Sequence, residues 1–255
     1  ILNLIDAEEE VIKFKPQVIY HLASMVSRVT CEKSISMAVE TNVVGTTNII
    51  QLCKRLNAKL INFSTSEIYG NQYCKMEERI DAMPNNIYGI TKYMAEQLVE
   101  YESKSNGLKY INVRPFMIYD ENEIMGENRS AIIRFAENII RGLPVTIHKE
   151  AYRSWLHISD AVILFEKLLY APNNITINIG DSNYISIEQI VKMMCEYVNS
   201  SVIITYEDLP NKMTLKKEAS LDLQNNLLKY VPSKTIQNGI ILVMDTVAER
   251  VKNLK

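Results

Sequence analysis

The chain has 255 residues, 47% of them hydrophobic, which allows a substantial core in one large domain or two small ones. Its formal net charge of −2 gives no reason to expect nucleic acid as a partner. Its four cysteines form no Cys-x-x-Cys pair and its three histidines form no cluster, so no metal site is expected. No apolar run approaches the roughly 18 residues that span a bilayer. No signal peptide opens the chain, and we expect a cytoplasmic protein without a membrane partner.

The first part of the chain alternates helices and strands. Apolar segments at 17–22, 59–64 and 109–114 predict buried strands, and helical patterns cover 7–14, 34–56 and 86–105. The helix at 34–56 has almost no polar face, so we expect it to be covered on two sides. Gly107 is a plausible C-cap of the third helix. This order predicts an α/β fold with a doubly wound parallel sheet and crossover helices.

The pattern changes after Pro115. Helices are predicted at 129–141, 159–170, 187–198 and 235–252, with short strands at 145–147, 175–179 and 202–205. We expect a smaller, mixed α/β unit that lies over the sheet. The division predicted from this change is one unit at 1–115 and a second at 116–255, with some segments of the second returning to the sheet.

Tyr88 and Lys92 lie four residues apart, on one face of the helix at 86–105. A lysine held against a tyrosine favours the phenolate, which suits proton removal from a sugar or alcohol hydroxyl while a hydride leaves the same carbon. The spacing alone is weak evidence, since the fourteen tyrosines give about one such match by chance. Tyr230 and Lys234 also match, but Pro232 between them argues against a helix. A plain surface pair remains the alternative for Tyr88 and Lys92.

Several ordered motifs carry a family resemblance. They are His21-Leu22-Ala23, Asn42-Val-Val-Gly45-Thr46, Ser64-Thr65-Ser66-Glu67-Ile68-Tyr69-Gly70, Tyr88-Gly-Ile-Thr-Lys92, Arg114-Pro115-Phe116, Arg153-Ser-Trp-Leu-His157-Ile-Ser-Asp160 and Asn178-Ile-Gly180. The chain resembles the extended short-chain dehydrogenase/reductases, in particular the NAD-dependent nucleotide-sugar epimerase/dehydratase group. The resemblance implies a Rossmann-like NAD-binding unit at 1–115 and a mainly substrate-binding unit at 116–255.

The resemblance also implies roles for individual residues. Tyr88 is similar to the general base, Lys92 to the residue that lowers its pKa and binds the nicotinamide ribose, and Thr65 to the residue that hydrogen-bonds the sugar hydroxyl. Arg153 resembles the arginine that pairs with the nucleotide diphosphate. The implied cofactor contacts are Asn3, Leu4, His21, Leu22, Ala23, Ser24, Asn42, Ser64, Tyr88, Lys92 and Pro115. The implied substrate contacts are Thr65, Ser66, Met117, His148 and Arg153, although Met117 stands where the family typically has an asparagine.

Ser66 and Glu67 bear on the type of reaction. The 4,6-dehydratases that this chain resembles commonly have Asp-Glu here, for leaving-group protonation and C5 proton removal, and only the glutamate is present. Some dehydratases and the nucleotide-sugar decarboxylases are similar in having Thr-Ser-Glu. The implied activity is oxidation of a nucleotide-diphosphate sugar at C4, followed by epimerisation or 4,6-dehydration. Decarboxylation stays an alternative, and so does a solvated loop carboxylate with no role for Glu67.

The resemblance calls for a glycine-rich turn that holds the NAD pyrophosphate, and no such turn occurs among the eight glycines. We therefore expect the sequence to be part of a longer protein, with a Rossmann-like sheet that lacks its N-terminal part. The alternative is a non-catalytic Rossmann-like binding or regulatory protein. The helices at 34–56 and 86–105 resemble the pair that forms an intersubunit four-helix bundle in this family, so a homodimer is expected.

Overall fold

The structure is a computed structural model, and it describes residues 1–3, 5–72, 74–126, 130–210 and 212–253. The strands are β1 Val18–His21, β2 Lys59–Phe63, β3 Tyr110–Pro115, β4 Met117–Tyr119, β5 Val145–His148, β6 Tyr152–His157, β7 Ile175–Ile179, β8 Tyr184–Ser186, β9 Ile204–Glu207 and β10 Lys216–Lys217. The helices are α1 Ile5–Phe14, α2 Arg28–Lys33, α3 Ile35–Val39, α4 Gly45–Leu56, α5 Ile87–Asn106, α6 Ala131–Ile140, α7 Ile158–Lys167, α8 Ile187–Tyr197, α9 Asp222–Leu228 and α10 Ile236–Asn253.

The main sheet has the order β1-β2-β3-β7, and each neighbouring pair of strands is parallel. Strand β2 is buried along its whole length, as expected for a strand with helices on both faces. The prediction of a doubly wound parallel sheet is confirmed. Strand β7 pairs with β3, so a segment after Pro115 returns to this sheet.

The helix predicted at 34–56 is continuous but irregular. It consists of α3, a π-helical turn at Glu40–Val44 and α4. The π turn places Asn42, which is fully buried, against the loop after β1: its Oδ1 accepts hydrogen bonds from Ser24 Oγ at 2.8 Å and from Met25 N at 2.7 Å. The Asn42 amide nitrogen donates to Thr91 Oγ1 of α5 at 3.0 Å. Through Asn42, the π-helical turn therefore connects the loop after β1 with helix α5 by hydrogen bonds.

The second half contains two further sheets. Strands β10, β6 and β4 form one of them, with β8 antiparallel to β6, and β5 pairs with β9. Helices α6, α8 and α10 cover an apolar core that includes Trp155 of β6. The elements not predicted from the sequence are β4, β6, β8, β10, α2 and α9. All but β6 are short and carry too few residues for a periodic pattern, and β6 interrupts its apolar residues with Arg153, Ser154 and His157. The predicted start of α6 at Arg129 lies outside the described residues, within which the helix spans Ala131–Ile140.

Candidate active site

The candidate site begins where β2 ends. Thr65 is extended and caps a short 3-10 helix, Ser66–Tyr69, by accepting a hydrogen bond from Glu67 N at 3.2 Å. Gly70 ends this turn with φ of 62°, and a Cβ there would overlap the carbonyl group of Met83. The predicted run of hydroxyls and a carboxylate is therefore presented at the carboxyl edge of the sheet, where ligands bind in open α/β folds.

Helix α5 brings Tyr88 to this turn. Asn86 is its N-cap and accepts a hydrogen bond from Gly89 N at 2.9 Å. The half-buried phenol of Tyr88 is hydrogen-bonded to the side chain of Thr65. The two elements that carry the predicted base and its hydroxyl partner thus meet directly.

The expected effect of Lys92 on Tyr88 is not observed. Burial raises the pKa of Tyr88 to about 12, the hydrogen bond with Thr65 offsets this only in part, and the charges of Glu67 and Cys31 raise the pKa further. The ammonium of Lys92 instead interacts with Glu96 and acts on His21. The pKa of Tyr88 is thus raised in this structure, and the lowering expected from Lys92 stays a prediction.

Lys92 of α5 and His21 of β1 are both buried, and the charge of Lys92 acts on His21. Burial lowers the pKa of Lys92 to about 8, and Glu96 partly opposes this shift. Burial also lowers the pKa of His21 to about 4, with a further contribution from the charge of Lys92. The Nε2 atom of His21 lies 3.0 Å from Thr46 Oγ1 of α4. His21 is thus neutral near pH 7, and Lys92 is the cation at this end of the site.

Glu67 is a buried carboxylate with several partners. Its Oε1 accepts a hydrogen bond from Lys217 Nζ and lies 3.8 Å from Arg28 Nη1, and its Oε2 accepts from Asn86 Nδ2 at 3.0 Å. Burial alone would raise the pKa of Glu67, but the charges of Lys217 and Arg28 and the hydrogen bonds from Lys217 and Asn86 lower it to about 2. These contacts exclude the alternative of a solvated loop carboxylate.

Cations from three separate segments surround Glu67. Arg28 comes from the start of α2, Arg153 from β6 and Lys217 from β10, and the last two are at most 5% exposed. Their charges act on one another and on Glu67. Arg153 Nη1 donates to the carbonyl oxygens of Tyr152, at 2.7 Å, and of Leu215, at 2.6 Å. We call Arg28, Arg153 and Lys217 the cation cluster.

Two buried polar atoms beside the cation cluster have no hydrogen-bond partner among the described residues. They are Arg28 Nη1 and His148 Nδ1. Burial lowers the pKa of His148, Glu207 opposes this shift, and the charges of Arg153 and Arg28 add to it. Unpaired buried donors and acceptors cost free energy, so these atoms mark places where a polar ligand would restore hydrogen bonds.

Comparison with known proteins shows where this arrangement belongs. The model of the NAD dependent epimerase/dehydratase family matches residues 2–180, which is more than half of the chain. The chain belongs to this family. The resemblance drawn from the motifs is thereby confirmed.

The proteins similar to this chain are named for different activities. UDP-glucuronic acid decarboxylase 5 of Arabidopsis thaliana is 24% identical over 233 residues, covering 88% of this chain and 68% of that protein. The structure of a Thermotoga maritima UDP-glucose 4-epimerase with UDP-glucose matches with a TM-score of 0.89 and 21% identity, covering 100% of this chain and 83% of that one. A Thermus thermophilus UDP-glucose 4-epimerase in complex with NAD matches with a TM-score of 0.86 and 21% identity, covering 96% and 82%.

The described residues fit the nicotinamide end of NAD, the cofactor of this family. Ser64 Oγ is buried at the tip of β2 without a hydrogen-bond partner among the described residues, and the Lys92 ammonium is buried on α5. An unpaired hydroxyl and a cation at the carboxyl edge of the sheet suit a ribose and a neighbouring phosphate. The glycine-rich turn for the pyrophosphate does not occur in this sequence.

The remaining predicted contact residues lie in several parts of the structure. Ser24, in the loop after β1, donates a hydrogen bond to Asn42, and Leu22 and Ala23 of the same loop are exposed. Asn3 is exposed near the start of the chain. Pro115 ends β3 opposite Ile179, and Met117 packs against the apolar core of the second half. Leu4 lies outside the described residues.

The sequence analysis missed Arg28, Asn86 and Lys217, which all contact Glu67. Asn86 carried a usable signal, since Asn is a frequent N-cap and precedes a predicted helix. Arg28 and Lys217 carried none, because each lies in a short element, α2 or β10, that the sequence pattern did not predict. Tyr230 and Lys234, the other pair with the same spacing, do not lie on one helix. Tyr230 OH donates to Asp160 Oδ1 at 2.6 Å, and Lys234 precedes α10.

Proposed function

We propose that the chain carries the catalytic residues of an NAD-dependent enzyme that oxidises a nucleoside-diphosphate sugar at C4. The product would be an epimer or a 4-keto-6-deoxy sugar, which makes the enzyme an isomerase or a lyase. The observation that carries this proposal is the convergence of Tyr88, Thr65 and Glu67 next to the cation cluster. A sugar hydroxyl at Tyr88 and a diphosphate at the cations would use both parts of the site at once.

Tyr88 and Thr65 would together remove the proton of the C4 hydroxyl. Thr65 would hydrogen-bond the sugar oxygen, and Tyr88, already hydrogen-bonded to Thr65, would receive the proton in its phenolate form. NAD, when bound, would supply the acceptor for the hydride from C4. Burial raises the pKa of Tyr88 to about 12, so formation of the phenolate needs a positive charge close to the phenol. Lys92 is the buried cation on the same helix, and we expect it to approach Tyr88 when the site is filled.

Glu67 would act in the second stage as a base. A 4-ketone acidifies the neighbouring C–H bond at C5, and a carboxylate with a pKa of about 2 is ionised at every working pH. Ser66 supplies only a hydroxyl where a dehydratase of the Asp-Glu type has an acid. Proton removal at C5 is therefore supported better than acid-assisted loss of water, and C5-directed chemistry is the version that we favour.

A nucleotide-sugar decarboxylase is the second candidate. The sequence Thr65-Ser66-Glu67, which lacks the acid of the Asp-Glu type, is similar to that of the decarboxylases. The Arabidopsis relative is named as a decarboxylase of UDP-glucuronic acid, in accord with this alternative.

A product assay on the full-length protein tests these candidates. UDP-, dTDP- and GDP-linked hexoses and UDP-glucuronic acid would be incubated with NAD+ in D2O, and the products would be read by proton NMR. Deuterium at C5 with a new methyl signal supports dehydration, and an inverted ring proton supports epimerisation. A pentose product with carbon dioxide supports decarboxylation. No change with any sugar would favour a non-catalytic binding or regulatory protein.

We also propose a homodimer through α3–α4 and α5, in the cytoplasm. On α5, Ile90, Met94 and Tyr101 are exposed by 38%, 43% and 63%, and they follow a helical spacing along one face. Met37 and Val44 are exposed on the neighbouring helical segment. Within the described part of the chain no helix combines the length and the apolar character that crossing a membrane requires. A monomeric mass by light scattering at micromolar concentration would refute the dimer.

A further inference from the structure

Lys217 is buried in the candidate site, where its ammonium forms an ion pair with Glu67. Its side chain is 3% exposed, and its ammonium donates to Glu67 Oε1. Arg28 and Arg153 also act on its charge, and both are cations, so Glu67 supplies the compensating negative charge. Removing one partner of such a buried pair leaves an uncompensated charge, which is strongly unfavourable. Lys217 can therefore leave Glu67 only when another anion replaces the carboxylate.

The segment that carries Lys217 crosses from one half of the molecule to the other. Lys212 forms an ion pair with Glu32 of α2, and Leu215 N donates to Asn71 Oδ1 at 3.0 Å. In the other direction, Arg153 Nη1 donates to the carbonyl oxygen of Leu215. The segment from Lys212 to Lys217 thus rests on the sheet half through two Lys–Glu pairs, one on each side of the Asn71 contact. The inner pair, Lys217–Glu67, lies in the candidate site.

The charges around this pair match a diphosphate. Arg28, Arg153 and Lys217 carry three positive charges against the one negative charge of Glu67, which leaves an excess of two. Each phosphate in a sugar nucleotide's diphosphate bridge carries about one negative charge. A diphosphate would therefore neutralise the excess, and Arg28 Nη1, which has no hydrogen-bond partner among the described residues, would gain one.

We propose that Lys217 is a positioning residue that holds Glu67 until a nucleoside diphosphate displaces the carboxylate. The exchange rests on the proposed function, because it makes Glu67 available for proton transfer only when the substrate's diphosphate is in place. The phosphate oxygens take over the Lys217 ammonium, and Glu67 keeps its hydrogen bond from Asn86. The Glu67 carboxylate, relieved of one cation, becomes a stronger base beside the sugar. In the protein without substrate, the same ion pair keeps the base inactive.

A double-mutant cycle on nucleotide binding tests the exchange. UDP affinity would be measured by calorimetry on the full-length protein with NAD present, for the wild type, Glu67→Gln, Lys217→Met and the double variant. If Glu67 competes with the diphosphate for Lys217, Glu67→Gln tightens UDP binding by about tenfold when Lys217 is present. In the Lys217→Met background the same change has no such effect. Thermal unfolding of all four proteins separates binding effects from a loss of folded protein.

Glu32→Gln is the matched control, because it removes the outer Lys–Glu pair of the same segment and leaves the cation cluster intact. We expect it to change UDP affinity by less than about twofold. If Glu67→Gln changes UDP affinity equally in the protein with Lys217 and in the Lys217→Met variant, the exchange is overturned. The change in affinity would then come only from the loss of a nearby negative charge. Failure of UDP, dTDP and GDP to bind the wild type overturns both proposals. A positive cycle with no sugar turned over supports the exchange and counts against the proposed function alone.

Discussion

Gly89 lies so close to Glu67 that a Cβ atom at position 89 would be 2.9 Å from the Glu67 carbonyl oxygen. Real Cβ atoms do not approach oxygen that closely without displacement of one of the two segments. The absence of a side chain at Gly89 thus allows the N-terminal turn of α5 to touch the turn after β2. This contact sets the position of Tyr88 relative to Thr65.

Gly89→Ala should therefore reduce turnover strongly while the protein still folds. The added methyl also lies 3.1 Å from Pro84 Cβ, so α5 must shift away from the turn. We expect turnover to fall by about 100-fold and the free energy of unfolding to fall by about 1–3 kcal/mol. Gly107→Ala is the control, because φ there is 74° and nothing lies within 4 Å of the added Cβ. It should cost about 1 kcal/mol and leave turnover unchanged. Equal turnover in both variants would contradict the close-contact argument.

His21 should make the fold sensitive to mild acid. Its pKa is lowered to about 4 from 6.5, so the unfolded chain binds the proton more readily than the folded one. The contribution of neutral His21 to the free energy of unfolding is thus fully present above pH 6.5. It is lost as the pH falls toward 4, by about 3 kcal/mol in total. Urea unfolding between pH 7.5 and 4 would measure it. His21→Gln should show a flatter profile, and parallel profiles for the two proteins would refute the assignment.

The buried pair of Arg114 and Glu96 should be a major contributor to stability. Arg114 donates two hydrogen bonds to the Glu96 carboxylate, Nε to Oε1 at 3.0 Å and Nη2 to Oε2 at 2.7 Å, and both side chains are nearly inaccessible. Glu96→Gln leaves a buried guanidinium without its charge partner and should cost about 3 kcal/mol in urea unfolding. The more exposed pair of Lys54 and Glu102 is the comparison. Glu102→Gln should cost less than about 1 kcal/mol, and similar losses in both variants would contradict this ranking.

UDP affinity should decrease in alkaline solution if Lys217 receives the diphosphate. Burial lowers the pKa of Lys217 to about 8, Glu67 opposes this shift, and the charges of Arg153 and Arg28 lower the pKa further. A bound diphosphate favours the protonated amine, so affinity should fall above pH 8, by up to about tenfold per pH unit. Calorimetric titrations of UDP from pH 7 to 9.5 would measure the decrease. Lys217→Arg should bind UDP without it, because arginine stays protonated in this range. The same decrease in Lys217→Arg would assign it to another group.

The sequence predicted the main sheet well, because its strands are continuous apolar segments that alternate with long helices. Strand β7 begins and ends at the predicted residues, Ile175 and Ile179. The contact between Tyr88 and Thr65 was also foreseeable from the motifs and their order. Short strands such as β10, with two residues, offer no pattern to read.

The electrostatics of the site could not be read from the sequence. The expected lowering of the Tyr88 pKa assumed that Lys92 would face the phenol, whereas burial and the charge of Glu67 raise the pKa. Lys217 lies 150 residues from Glu67 in sequence, so only the folded chain brings the two together. Charges that meet through tertiary packing have no local signature, and they determine how Glu67 behaves.

The most direct test of the central claim is the turnover of Tyr88→Phe against Tyr230→Phe. Both tyrosines are followed by lysine four residues later, but only Tyr88 meets Thr65, while Tyr230 is bonded to Asp160. On the sugar nucleotide that the product assay identifies, Tyr88→Phe should lose at least about 1,000-fold in kcat, with UDP affinity nearly unchanged. Tyr230→Phe should keep its kcat and lose only stability. Undiminished turnover in Tyr88→Phe would contradict the account.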